Sequence, residues 1–343
     1  MKENFIIVHS LNLIRLWNLF INKLSFLLTK IFNRPIVFGY PYVYSIEPTT
    51  FCNLQCSECI SGQRSFTRNT GFMKCNRYKD LLRKINKYAI YLMLNFQGEP
   101  FLHPDIFCFI KQAKKKKIFV SISTNGHFLG IDNCEKLIKS GLDRLIVSLD
   151  GLSQETYEKY RKGGDFSKVE KGIKQLVATK KRLNATNPFI ELQFIAFKSN
   201  EHEMPLLESF KKSLGVNKVA IKTAQFTDLN HAMKLLPNDE KLCRYTIDND
   251  NLILNREQSK PCPRLWSTSV LTQNGEMLPC CFDKDASYSY GNLSDRGALQ
   301  DIWKSNKVKK FRRVQVIDPD KISMCSNCDL GVKIYKKNNK KRN

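Results

Sequence analysis

The sequence predicts an α/β fold: a partial (β/α)6 TIM-like barrel followed by a small cysteine-rich C-terminal extension. Three observations predict it. Strand-like and helix-like patterns alternate six times between residues 43 and 224. The residues suited to chemistry fall immediately after the strands, where such barrels place their sites. The cysteines group at 52–59 and at 262–328. Composition agrees, since 42% hydrophobic and 26% charged residues over 343 positions exclude wholesale disorder and supply a core.

The elements follow in order. Val43 to Glu47 reads as a short apolar strand leading into a cysteine-rich loop. A helix over Tyr78–Tyr88 precedes a strand over Ile90–Phe96 that runs into Gln-Gly-Glu-Pro. A helix over Pro104–Lys116 and a strand over Ile118–Thr124 end at Asn125-Gly126, and a helix over Cys134–Ser140 and a strand over Arg144–Leu149 end at Asp150-Gly151. Helical patterns at Gln154–Tyr160 and Lys168–Arg182 lead to a fifth strand, Phe189–Phe197. A helix over Glu203–Leu214 and a sixth strand over Lys218–Lys222 complete the set. Five segments follow: an amphipathic helical region at 1–40, the barrel at 41–224, a polar linker at 225–260, a cysteine-rich domain at 261–331 and a basic tail at 332–343.

Charge and termini bear on partners. The 56 Lys and Arg exceed the 32 Asp and Glu by 24. Neither the run Lys114–Lys117 nor the tail carries interleaved aromatics, so a nucleic-acid partner is not expected. From Phe5 to Phe32 the chain is apolar but interrupted by Arg15 and Lys23, too broken to span a bilayer. Leu13, Leu16, Trp17, Phe20, Leu24, Leu27, Leu28 and Ile31 follow helical spacing, with Asn12, Arg15, Asn18, Asn22, Lys23 and Lys30 between them. Such a helix either docks on the body of the fold or lies peripherally on a membrane. No secretory signal with a clean apolar core is found, so the chain is expected in the cytoplasm or at the inner face of its membrane.

Twelve cysteines in a long chain without that signal point to metal-bound or free thiols rather than disulfides. Cys52, Cys56 and Cys59 form Cys-x3-Cys-x2-Cys in the loop after the first strand. Three thiolates leave one position of a four-ligand centre open, which suits zinc or an iron–sulfur cluster with a free iron.

This pattern resembles the radical S-adenosylmethionine (SAM) enzymes. The resemblance implies a 4Fe–4S cluster on those cysteines, with SAM chelating the open iron. It implies reductive cleavage of SAM to a 5′-deoxyadenosyl radical, hydrogen abstraction from a substrate, and an electron donor such as flavodoxin or ferredoxin. Gln97-Gly98-Glu99-Pro100 resembles the family's Gly-Gly-Glu-Pro motif, which meets the cofactor's amino group; its first glycine is Gln here. Ser148, Asp150 and Gly151 are similar to the Ser-x-Asp-Gly near the ribose, and Arg161 to an arginine that reaches the cofactor carboxylate. Ser123, Thr124 and Asn125 either line the site or simply end the third strand.

The C-terminal region resembles the SPASM extension of the same superfamily. Cys262, Gly275 and Cys280 fit its opening, Gly291-Asn292-Leu293 and Asp301-Ile302-Trp303 its middle, and Cys325-x2-Cys328 its end. This short form implies one auxiliary 4Fe–4S cluster on Cys262, Cys280, Cys325 and Cys328. Cys281 is a fifth ligand, a thiol facing substrate, or buried, and Cys75, Cys108, Cys134 and Cys243 read as small buried hydrophobes. Asp283 reads as a catalytic base for a two-electron oxidation or as a solvated loop acid.

The resemblance leaves two substrate classes, a small molecule or glycoconjugate and a peptide. The roughly 40 residues before the first strand fall short of a separate leader-peptide domain, which weighs against the peptide. The competing reading is a non-enzymatic, zinc-binding, nucleic-acid-binding protein.

Overall fold

A computed structural model describes residues 9–328, apart from 227, 250, 256–259 and 296; the basic tail lies outside the described residues. Its centre is one mostly parallel sheet. The six expected strands are β1 (Val43–Ile46), β2 (Tyr91–Met93), β3 (Phe119–Thr124), β4 (Arg144–Ser148), β5 (Phe189–Ala196) and β6 (Lys218–Thr223). They pair in that order and in parallel, with Val43 opposite Tyr91, Leu92 opposite Val120 and Leu192 opposite Val219. Tyr44, Leu92, Val120, Ile122, Leu145 and Val147 are buried, as strands covered on both faces require. Helices over Cys75–Ile85, Ile106–Lys115, Ile131–Lys139, Phe166–Arg182 and Leu207–Leu214 return the chain between strands. Their inner faces (Leu81, Phe109, Leu137, Ile173 and Leu214 among them) join the same core.

The sheet does not stop at six strands. Among the described residues it has nine, in the order β11-β10-β9-β1-β2-β3-β4-β5-β6. The added strands are β9 (Thr268–Leu271), β10 (Glu276–Leu278) and β11 (Gly291–Asn292), all from the cysteine-rich extension. β9 runs parallel to β1 with Val43 opposite Thr268, and β10 folds back antiparallel on β9. The turn between them is Thr272-Gln-Asn-Gly275. Gly275 has φ +94°, and a Cβ there would lie 2.3 Å from Ser294 Oγ. Asn-Gly between apolar runs is a hairpin signal in its own right.

Residues 225–260, expected as a polar linker, hold a helix over Leu229–Leu235 and the hairpin β7 (Tyr245–Asp248) and β8 (Asn251–Leu254). Phe226, Ala232 and Tyr245 close a small core there with Phe197.

The N-terminal helix, α1, spans Leu13–Phe32. Asn12 caps it by accepting from Arg15 N–H, and it ends at Asn33 with φ 49°. Its polar side faces the protein: Arg15, Asn18, Asn22, Ser25 and Thr29 are buried. Arg15 donates to the carbonyls of Asn86, Lys116 and Lys117 at 2.8–2.9 Å. Asn18 and Asn22 donate to Tyr40 O, and Asn22 also to Trp266 O at 2.6 Å. Ser25 and Thr29 accept from Phe38 and Ile36 N–H. Tyr40, Asn86, Lys116, Lys117 and Trp266 each lie two to five residues before β1, β2, β3 or β9. The helix therefore crosses the N-terminal ends of four adjacent strands.

Candidate active site

The opposite end of the sheet gathers the motif residues. After β1 the chain passes through Glu47 into the loop of Cys52, Cys56 and Cys59. The loop coils tightly, with Cys59 N–H donating to Cys56 O at 3.2 Å and Leu54 N–H approaching Cys52 Sγ at 3.5 Å. Gly62 packs on its backbone, since a Cβ there would sit 2.6 Å from Cys56 N. The three thiols are close enough for their charges to interact, and burial pushes Cys52 up to about 11. Burial also raises Cys56, which the Arg161 guanidinium partly offsets.

The loop after β2 is zipped to the cysteine loop. Glu99 N–H donates to Phe51 O at 2.8 Å and Gly98 N–H to Ser61 Oγ at 2.9 Å. Gly98 has φ +71°, and a Cβ would meet Thr49 O at 2.4 Å, so only glycine fits. Gln97 is buried beside it, and its backbone bonds the Glu47 carboxylate. Glu99 is 2% exposed and follows Gly98 into a 3-10 turn started by Pro100. Its carboxylate accepts from Thr124 Oγ1 at 2.7 Å, Asn125 N–H at 2.8 Å and Phe101 N–H at 3.2 Å. Burial pushes it up to about 7 against those donors.

Strand ends β3 and β4 complete the site. Thr124 and Asn125 orient Glu99, and Asn125 Nδ2 also reaches Asn53 Oδ1 at 2.8 Å and lies 3.9 Å from Cys52 Sγ. Ser148 is buried at the end of β4. Asp150 is fully buried with φ 56° and bonds Arg161 at 2.5 and 2.7 Å and Ile195 N–H at 2.6 Å.

Two features escaped the sequence. Glu47, fully buried, takes a two-pronged ion pair from Arg68 at 2.6 and 2.8 Å. His127 Nε2 accepts from Asp165 N–H at 2.9 Å, and its Nδ1 donates to Asn125 Oδ1 at 3.1 Å. Glu47 stood at a predicted strand end, which was its only signal; no motif marks Arg68 or His127.

The extension brings its thiols together in turn. Cys280 interacts with Cys281, Cys262 and Cys328, and Cys325 with Cys262 and Cys328. Burial drives Cys325 to about 12, and Phe282 N–H approaches Cys280 Sγ at 3.5 Å. Cys281 is exposed, 3.2 Å from Arg264 Nη1, and so is not the buried thiol that its type favours. Of the four cysteines outside both sets, Cys134 is buried as expected. Cys108 is exposed, on the outer side of its helix, and Cys75 and Cys243 are half-buried. Asp283 is 3% exposed, not solvated; it accepts from Tyr288 N–H at 3.0 Å and burial raises its pKa. The extension grips both ends of the six-strand run. Thr67 N–H donates to Asp285 at 3.1 Å near β1, and Asn327 Nδ2 donates to Phe226 O at 2.6 Å beyond β6.

Among the described residues, no three His, Cys, Asp or Glu groups converge as a single ion requires. A four-iron cluster is bound by thiolates spread around a cube, and the two thiol sets, with N–H groups aimed at sulfur, fit that demand.

Comparison with known proteins decides the family. Residues 46–187 match the Radical SAM superfamily, and 262–329 match SPASM, an iron–sulfur cluster-binding domain. The chain belongs to the radical SAM superfamily. This radical SAM chain is 24% identical over 322 residues to the tungsten-containing aldehyde ferredoxin oxidoreductase cofactor-modifying protein of Pyrococcus furiosus, covering 84% of the chain and 87% of that protein. It is 24% identical over 284 residues to the GTP 3′,8-cyclase of Nautilia profundicola, covering 74% of the chain and 85% of the relative. In fold it resembles Streptococcus suis SuiB bound to SAM (TM-score 0.62, 16% identity, 91% of this chain and 77% of that one). It also resembles BtrN in complex with AdoMet and 2-DOIA (TM-score 0.51, 18% identity, 85% and 94%). The radical SAM chain is thus an enzyme whose cofactors are a 4Fe–4S cluster, SAM and auxiliary iron–sulfur chemistry, and it uses a reductant. The non-enzymatic zinc reading falls.

Proposed function

We propose that this radical SAM enzyme binds its catalytic 4Fe–4S cluster through Cys52, Cys56 and Cys59 and one auxiliary 4Fe–4S cluster through Cys262, Cys280, Cys325 and Cys328. The observation that carries this is the single buried network at the C-terminal ends of β1 to β4. In it Cys52 is coupled to Glu99, and Cys56 to Arg161 and Asp150. When bound, the cluster and SAM together supply a 5′-deoxyadenosyl radical that abstracts a substrate hydrogen. The chain's own residues prepare the place. Gln97, Gly98, Glu99 and Pro100 would receive the cofactor's amino group, with Glu99 as acceptor. Ser148 would hold the ribose. Asp150 locks Arg161 in position and holds its charge beside Cys56. Burial excludes water that would quench a reactive species. The reductant is a flavodoxin or ferredoxin.

The substrate is a small molecule or glycoconjugate, in keeping with the GTP cyclase relative and with BtrN solved with 2-DOIA. A peptide is the second reading, because SuiB is also known bound to its precursor peptide SuiA. The auxiliary cluster assists an oxidation or a rearrangement, and in an oxidation Asp283 is the proton acceptor. Replacing it, D283N, should leave 5′-deoxyadenosine formation intact and abolish product; unchanged product yield would remove Asp283 from the chemistry.

Anaerobic reconstitution tests the cluster assignment. The holoenzyme should hold about eight irons per chain. The C52A/C56A/C59A protein should hold about four and form no 5′-deoxyadenosine, whereas C262A/C280A should keep SAM cleavage and lose product. Cleavage by the first variant would overturn the proposal. Anaerobic turnover with deuterated candidates, read as deuterium in 5′-deoxyadenosine, identifies the substrate.

A further inference from the structure

Helix α1 is amphipathic in the reverse of the usual sense. Its buried positions, Arg15, Asn18, Asn22, Ser25 and Thr29, advance by three and four residues and are all polar. The positions diametrically opposite, Leu13, Trp17, Phe20, Leu24, Leu27 and Ile31, advance by the same steps and are all apolar. Trp17 and Ile31 are each 63% exposed and Phe20 57%. At 1.5 Å per residue, the twenty-residue helix carries an apolar stripe roughly 30 Å long. That is far more than the scattered apolar side chains of an ordinary surface. The underside is fully occupied: hydrogen bonds to the N-terminal ends of β1, β2, β3 and β9 fix the stripe pointing outward.

Charge identifies what covers it. Between Asn4 and Ile46 there is no Asp or Glu. Lys23, Lys30 and Arg34 are exposed beside the stripe. The helix over Asn306–Ile317, whose Phe311 packs in the same cluster as Phe26 of α1, adds exposed Lys307, Lys309, Lys310 and Arg313 and no acid. Apolar side chains including Trp and Phe, flanked by cations, match the acyl boundary and anionic headgroups of a bilayer. No helix among the described residues is long and apolar enough to cross one.

We propose that α1 lies in the interface of an anionic lipid bilayer, apolar stripe down, and holds the enzyme with its catalytic mouth facing away from the lipid. The orientation follows from the sheet: α1 underlies the N-terminal strand ends, and the cysteine loop and Glu99 follow the C-terminal ends of β1 and β2. The helix is an anchor and not a channel for lipid-borne substrate, so the reacting group comes from the aqueous side. This inference is independent of the cluster assignment, since lipid binding is read without turnover.

Flotation of the full chain with vesicles of phosphatidylcholine, with and without phosphatidylglycerol, tests it. The holoenzyme should float with the mixed vesicles. A W17Q/F20Q/L24Q chain should bind at least ~10-fold less while keeping its unfolding midpoint and SAM cleavage. Replacing Lys23, Lys30 and Arg34 by Gln should reduce the preference for anionic vesicles about fivefold per cation. Of the three tryptophans, Trp266 and Trp303 are buried, so brominated lipid should quench Trp17 alone. Phe72 is exposed on the mouth side, bridged to Thr49 beyond β1 with its ring 5.0 Å from that of Phe51, so in a W17F/F72W chain the indole there should stay unquenched; quenching would overturn the orientation. Absence of binding, or equal binding by the triple variant, would overturn the anchor. So would a lipid-free dimer that the triple variant dissolves, because a second copy would then own the face.

Discussion

At the residue scale, the site depends on a few positions with no tolerance. Gly98 holds a left-handed conformation against the carbonyls of Thr49 and Phe51, at 2.4 and 2.7 Å from any added Cβ. G98A is therefore expected to cost more than the ~1 kcal/mol of strain alone, because the cysteine loop must move as well. Differential scanning calorimetry should show the lowered midpoint, and SAM binding should weaken in parallel. The same residue shows what the sequence offered. Its motif named Gly98 and Glu99, and the spacing picked out the three cysteines proposed as ligands, because short loops write their candidate groups in local order. Arg68 and His127 were invisible, since their partners Glu47 and Asp165 lie 21 and 38 residues away and no local pattern encodes such a meeting.

At the element scale, periodicity exposed all six strands and their helices, because a strand buried on both faces is an apolar run. It missed β9 to β11. The Gly275 that marks their hairpin also satisfies the spacing of a cysteine motif, and the motif was the louder signal. For α1 the pattern gave the helix but left its facing open, since amphipathicity alone does not say which side is down. The structure reverses the usual stability rule there. Arg15 donates to four carbonyls, those of Ser10, Asn86, Lys116 and Lys117. R15M should thus destabilise the fold by about 2–4 kcal/mol in urea unfolding. Polar substitutions at Trp17 or Phe20 should change stability by less than ~0.5 kcal/mol. An equal loss at both kinds of position would mean the helix docks differently.

At the scale of the whole molecule, the extension is not an appendage, because β9 and β10 complete the sheet beside β1 and Asp285 and Asn327 tie loops at both ends of the six-strand run. Residues 41–224 alone should therefore give no cooperative unfolding transition, measured by circular dichroism; a sharp transition would show that the barrel is autonomous. The surplus of 24 positive charges, unexplained by the catalytic site, gains a partial account in the acid-free stretch from Asn4 to Ile46 and the acid-free helix over Asn306–Ile317. The pairing of β1 with β9 also orders events during synthesis. Val43 waits for Thr268, and Asn22 for Trp266, each more than 200 residues later in the chain. Loop closure over such a distance slows folding, so β1 leaves the ribosome with one edge bare until Thr268 has emerged. Cluster insertion at Cys52, Cys56 and Cys59, the ligands proposed above, would have to follow, or be guarded through, that interval, and a chaperone that holds the bare edge of β1 is the factor whose depletion should lower the yield of iron-loaded enzyme.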